Sequence, residues 1–183
     1  MKEIKTREEL PNFFKEMGYK VGIEIGTHKG EFTELFCKEG LTTYTVDPWI
    51  GFSGQGRSQK LQEIQDGYYV EAKKRLSIYP NCNIIRKTSM DAVSDFEDGS
   101  LDFVYIDGNH SFKHTAEDIY EWSKKVRRGG IVSGHDYFNT QPGANNVICH
   151  VKAIVDAYVE THGIKNLYLT SNDKFNSWII VKE

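Results

Sequence analysis

The stretch LDFVYID at residues 101–107 sets the terms for the whole chain: Leu101, Phe103, Val104, Tyr105 and Ile106 lead straight into Asp107. A strand with one wet face alternates apolar and polar residues. A near-continuous apolar run is what a strand buried on both faces requires, and such strands belong to parallel sheets covered by helices. Parallel neighbours need a crossover between them, usually a helix. The remaining sequence supplies both parts. KVGIEIG (20–26), LTTYTVD (41–47), CNIIRK (82–87) and GGIVSGHD (129–136) read as strands. Helical spacing falls between them, at 30–40, 60–79, 89–96 and 113–127.

A short amphipathic helix over 6–17 precedes the first strand, with Leu10, Phe13, Phe14 and Met17 on one side. A polar loop, YFNTQPGANN, leads to a helix at 146–160. The last two strands, NLYLTS and FNSWIIVKE, are separated only by the turn-like Asn172-Asp173, so the final strand runs antiparallel. No repeat or linker interrupts this order, and 183 residues suffice for one domain with a full core. The expectation is a single α/β domain over 1–183, with 1–19 as an N-terminal helical extension.

Composition narrows the partners. A net charge of −3 gives no electrostatic reason to expect nucleic acid or an anionic membrane. No apolar run approaches the ~18 residues of a membrane span. The first residues, MKEIKTREEL, lack the apolar core of a signal peptide. Cys37, Cys82 and Cys149 are odd in number and widely spaced, which fits neither a disulfide framework nor a zinc pattern. A cytoplasmic protein with core thiols is expected.

The residues that carry chemistry collect at strand ends. VGIEIGTHKGEF puts Glu24 in the first strand and Gly26 and Gly30 in the turn that opens the next helix. Ligands of open α/β sheets sit outside the carboxyl ends of the strands, where glycines permit close approach and a helix N-terminus offers free N–H groups. The spacing here is G-x-x-x-G, with His28 where a dinucleotide fingerprint has its second glycine. Asp47 ends the second strand, where a carboxylate can take both hydroxyls of a ribose. Together these features indicate a nucleoside ligand without a pyrophosphate and count against an NAD-dependent oxidoreductase.

Asp107 ends the fourth strand, and His135-Asp136 end the fifth, with one helix in the interval. Those strands are expected to be neighbours, ~4.8 Å apart, so their ends can share one ligand. His110 lies on the loop above Asp107. Two mechanisms fit this group. In one, His110 or His135 is a general base, its ordinary pKa of ~6.5 being close to working pH. In the other, Asp107, Asp136 and His135 hold a divalent cation (magnesium, manganese or iron) that acidifies a substrate hydroxyl.

Glu24-Ile25-Gly26-Thr27-His28-Lys29-Gly30 resembles the E/D-x-G-x-x-x-G motif of class I S-adenosylmethionine-dependent methyltransferases. VDPW, SLDFVYIDGNHSF, DIYEW and RRGGIVSGHDY are similar to a bacterial subgroup related to macrocin O-methyltransferase-like enzymes. The resemblance runs from Lys20 to the C-terminus. It implies a Rossmann-like seven-stranded sheet, order 3-2-1-4-5-7-6, with strand 7 antiparallel. It implies S-adenosylmethionine as cofactor, with Asp47 on the ribose and Gly26, Thr27 and Gly30 around the methionine portion. Glu24 and Asp107 join that cofactor set, and Ser89 and Met90 lie against the adenine.

Trp49 either shields the cofactor or fills a gap in the core. Macrocin-type relatives imply the metal route, but with an Asp-Asp pair where this chain has His135-Asp136. Imidazole suits iron better than magnesium. A small hydroxylated acceptor, such as a sugar or natural-product glycoside, follows by analogy. Its wall is expected from the 50–58 loop, the 136–146 loop and the N-terminal helix, with Phe52, Tyr137, Phe138 and Asn139 as candidates. A non-catalytic S-adenosylmethionine- or nucleoside-binding module is the competing reading.

Overall fold

The computed structural model describes residues 3–53, 56–57, 59–140 and 148–183. The expected acceptor-wall positions 54, 55, 58 and 141–146, and the side chain of Phe52, lie outside the described residues. A 3-10 turn (Arg7–Glu9) leads into α1 (Leu10–Glu16), followed by β1 (Val21–Ile25), α2 (Glu31–Lys38) and β2 (Thr42–Val46). A two-residue hairpin, Phe52–Ser53 with Gly56–Arg57, comes before α3 (Gln59–Leu76), β3 (Cys82–Ile85) and α4 (Ser89–Ala92). The chain continues through β4 (Leu101–Ile106), α5 (Phe112–Lys125), β5 (Val126–Gly134), α6 (Val151–Thr161), β6 (Leu167–Leu169) and β7 (Trp178–Val181).

The seven main strands form one sheet in the order β3-β2-β1-β4-β5-β7-β6. All pairs are parallel except those of β7, which runs antiparallel to both β5 and β6. This is the order and the strand direction that the resemblance implies.

β4 sits in the middle and is buried on both faces, as its composition requires. Phe103 and Tyr105 point toward α1 and α2, where they meet Phe14, Phe32 and Phe36. The rings pack at 4.5–5.0 Å between centroids: Phe32 with Tyr105, Phe14 with Phe103, Phe36 with Phe103. Val104 and Ile106 belong to the opposite face, with Ile119 and Trp122 of α5 and Ile154 and Val155 of α6. Each such side chain contributes on the order of 1.5–3 kcal/mol by leaving water. α2 ends where Gly40 takes φ +83°, and the amides of Gly40 and Leu41 bond back to the carbonyls of Cys37 and Phe36. That pairing closes a helix with glycine just past its last turn.

The bounds of β5 and the start of the last long helix differ from the sequence expectation. β5 begins at Val126, directly where α5 stops, rather than at Gly129. Val126 pairs with Leu101 and Ile131 with Phe103, so the residues between them bulge. Arg127 Nε holds Asp102 Oδ1 at 2.7 Å, and Gly129 supplies φ +72° for the turn. The strand ends at Gly134, so His135 and Asp136 stand just past it instead of closing it. The last long helix begins at Val151, not at 146. Residues 148–150 are instead tied to neighbouring loops: Thr140 N–H donates to Cys149 O, Cys149 N–H to Thr140 Oγ1, and His150 N–H to His110 O at 2.9 Å.

Candidate active site

A cavity of about 660 Å³ opens over the carboxyl ends of β1, β2 and β4. Its floor begins at the turn after β1. Gly26 adopts φ +100°, and a Cβ there would stand 2.1 Å from the carbonyl oxygen of Asp107. The close approach that this glycine permits is thus to the neighbouring strand's own backbone. Gly30 takes φ +75° and opens α2, with Leu76 of α3 packed where a side chain would be.

Glu24 lies beneath that turn, only 2% exposed. Its Oε2 accepts from Thr33 Oγ1 and from Thr45 Oγ1 (3.3 Å), and Thr45 also shares a hydrogen bond of 2.6 Å with Thr27. Burial pushes the Glu24 carboxyl up to about 8, against the pull of these hydroxyls. At neutral pH it is therefore mainly protonated. A buried, hydroxyl-bonded, neutral carboxyl is a brace for the turn.

Asp47 lies just beyond β2. Its Oδ2 accepts from the His28 amide at 2.9 Å and its Oδ1 from the Trp49 amide at 2.7 Å. Burial raises its carboxyl, while those two amides oppose the rise. The bonds fix the carboxylate at the rim with further lone pairs for a ligand. Trp49 is fully buried at φ +45°, its Nε1 donating to His28 O at 2.8 Å and its ring 4.8 Å from Tyr69. It fills the core and staples the turn.

Of the expected cofactor residues, Gly26, Asp47, Ser89, Met90 and Asp107 line the cavity; Glu24, Thr27, Gly30 and Trp49 support it from behind.

At the cavity's far end Asp107 joins a second group. Asp107, His110 and Asp136 each bring one ligand-type atom within 4.8 Å of the others. His110 Nε2 stands 3.5 Å from Asp107 Oδ1 and 3.2 Å from Asp136 Oδ2. This nitrogen is buried, yet it is aligned for a hydrogen bond with neither. His135 Nδ1 lies 3.3 Å from Asp136 Oδ1 and 4.0 Å from Asp107 Oδ1. All four expected residues are thus brought together, with His110 between the carboxylates and His135 at their side. Asp136 reaches this position through φ +55°, unusual for a residue with a side chain.

Asp107 is burdened by burial, which would raise its carboxyl. The nearby His110, His135 and Arg7 outweigh that and hold it below the ordinary range. His110 is raised, chiefly by Asp107 and against its own burial.

Four contributors are not among the site residues singled out from the sequence. Arg7, from the turn before α1, places Nη1 3.0 Å from Asp107 Oδ2 and lies over the Phe32 ring at 5.0 Å. Nothing local signals a partner 100 positions away. His28 and His114 line the cavity, the first in the glycine turn and the second on α5. Asp118 also lines it, bonded to the Ser89 hydroxyl. Its signal was present: Asp118 lies one helical turn before Trp122, on the face that turns inward.

Residues 23–137 match the model of a family described as a methyltransferase domain, Methyltransf_24. A curated relative, the uncharacterized protein y4gI of Sinorhizobium fredii, is 29% identical over 125 residues. That alignment spans 62% of this chain but only 13% of the relative's length. Among solved structures, the O-methyltransferase from Bacillus cereus in complex with SAH superposes with a TM-score of 0.66 at 16% identity. It covers 96% of this chain and 80% of that one. TomG from Streptomyces achromogenes, an O-methyltransferase involved in tomaymycin synthesis and solved with SAM, gives 0.65 at 13% identity, over 96% and 79%. At such identities the structural likeness speaks for the fold. The family match begins in β1 and ends just past Asp136, so it takes in the glycine turn, Asp47 and the whole Asp/His cluster. This chain belongs to the Methyltransf_24 methyltransferase-domain family.

Proposed function

We propose that this protein, acting as one domain in the cytoplasm, moves the methyl group of S-adenosylmethionine to an oxygen of a small hydroxylated acceptor. A sugar or a natural-product glycoside is the acceptor class carried over from the resemblance. The observation that carries this reading is the double membership of Asp107, which lines the cavity and also belongs to the His110–Asp136 cluster. A cofactor in the cavity would present its methyl group to whatever the cluster holds. The three free cysteines support a reducing compartment, and no helix among the described residues is long and apolar enough to cross a membrane.

The chain's residues divide the work. Asp47 takes the ribose hydroxyls, Ser89 and Met90 meet the base, and Gly26 admits the methionine portion. Thr27, Gly30, Glu24 and Trp49 keep the turn in shape. The acceptor oxygen attacks the methyl carbon as the carbon–sulfur bond breaks, leaving S-adenosylhomocysteine, and the hydroxyl proton must go to a base.

Two carboxylates and a buried imidazole nitrogen with no hydrogen-bond partner among the described residues form a donor set that suits a divalent cation. Asp107, His110 and Asp136 would hold it, with His135 adjacent. Bound there, the cation would acidify and orient the acceptor hydroxyl. Without one, His110 or His135 is the base. The carboxylates of Asp107 and Asp136 on either side of His110 favour its protonated form.

Metal removal decides between the two. After treatment with a strong chelator, methyl transfer should disappear and return with manganese, iron or magnesium added singly. Activity that ignores chelation overturns the metal assignment, and His110→Ala or His135→Ala should then lower turnover roughly 10²–10⁴-fold. Cofactor binding by calorimetry with no methyl transfer to any hydroxylated acceptor would identify a binding module instead.

A further inference from the structure

Asp118 is 4% exposed, yet its side chain lines the cavity at the end occupied by Ser89 and Met90. Its Oδ1 accepts the Ser89 hydroxyl, and Ser89 Oγ in turn accepts from Trp122 Nε1 at 2.7 Å. The indole N–H can only donate, so this is a one-way relay, from Trp122 to Ser89 to Asp118. The serine proton is committed, and the relay ends on an acceptor. Asp118 Oδ2 lies beside Gly108, another residue of the cavity wall, 3.8 Å from where a Cβ on that glycine would stand.

No cation compensates this carboxyl among the described residues; the charged neighbour that acts on it is Glu117, of the same sign. Burial raises it to about 6, which leaves it mainly ionised at neutral pH. A buried carboxylate oxygen facing a cavity is costly unless a ligand brings an N–H to it.

We infer that Asp118 is the specificity-determining group for the base, with Oδ2 accepting a hydrogen bond from the exocyclic 6-amino group of the adenine. The inference rests on the proposed cofactor and extends it to a residue on α5. It also accounts for the relay. With the serine oxygen loaded by Trp122 and its proton spent on Oδ1, the cavity wall offers acceptor character alone at this point. A purine with nothing to donate at position 6 leaves Oδ2 buried and unpaired.

Calorimetric titration of the whole chain tests this with S-adenosylhomocysteine, its 6-deamino analogue and its 6-oxo analogue. The unmodified protein should bind the adenosyl compound roughly 10–100-fold more tightly than the 6-deamino one, the effect of one hydrogen bond to a charged group. Asp118→Asn keeps the shape of the side chain. The relay forces its amide oxygen toward Ser89 and its NH₂ into the cavity. The adenosyl preference should then vanish, and the 6-oxo analogue should gain affinity. Equal binding of the adenosyl and 6-deamino compounds by the unmodified protein overturns the role of Asp118 and leaves the cofactor assignment standing. Failure of all three to bind removes the cofactor assignment, and this inference with it.

Discussion

At the scale of single residues, the site depends on groups whose surroundings decide their charge. Glu24 illustrates this. Its folded carboxyl is raised to about 8 by burial, above the ordinary 4.5. A raised acid binds more protons folded than unfolded, so its contribution is fully present below about 4.5 and is lost as pH climbs through about 8. Glu24→Gln keeps a neutral side chain at every pH. It should stabilise the protein by on the order of 1–3 kcal/mol at pH 7 and by little near pH 4.5. Urea denaturation of both proteins across that range checks it; a constant difference would show that Glu24 does not titrate in this window. Asp47 and Asp107 could be found from sequence because each is the first polar residue after an apolar strand, where strand ends open to solvent. Glu24 was found through the glycine turn that follows it, but its burial under Thr33 and Thr45 depends on how α2 and β2 close over it, which no local pattern records.

At the scale of elements, the turn between β1 and α2 is the part that tolerates least. Gly26 combines φ +100° with a carbonyl oxygen 2.1 Å from where a methyl group would go. Gly26→Ala should therefore cost roughly 2–4 kcal/mol, strain and overpacking together, and should abolish cofactor binding even where folding survives. Thermal unfolding paired with calorimetry reads both. An alanine variant that binds normally would mean that the turn can move aside. The parallel sheet and its antiparallel last strand were legible because β4 reads as a both-faces-buried strand and because only β6 and β7 lack an intervening helix; the strand order came from the family resemblance. The start of β5 was not, since the bulge over Arg127–Gly130 depends on an ion pair with Asp102 from another strand. Helical spacing likewise continues past Lys125 although the chain has already turned into the sheet.

At the scale of the whole molecule, the N-terminal segment reaches the candidate site. The amides of Ser171 and Asn172 donate to Ile4 O and Lys5 O, and the Arg7 amide donates to Asp173 Oδ1. This strap carries the Arg7 guanidinium to Asp107 Oδ2, leaving Oδ1 to face the two histidines. Arg7→Ala should lower methyl transfer roughly 10–100-fold by letting Asp107 shift, with cofactor affinity nearly kept, because Arg7 does not line the cavity. Steady-state kinetics beside calorimetric titration separates the two effects. An unchanged turnover would mean that Asp107 is held well enough by its histidines.

The relay at the base end and the staple at the glycine turn have an optical consequence. The chain has three tryptophans, all buried. Two of them hydrogen-bond different residues of the same cavity wall, Trp49 through His28 O and Trp122 through Ser89 Oγ. Indole emission responds to what its N–H is bonded to, so the protein contains a built-in reporter beside each of those residues. Trp49→Phe and Trp122→Phe would silence one reporter at a time, and the order in which a ligand settles against the two residues would then be readable in stopped-flow fluorescence, without any label.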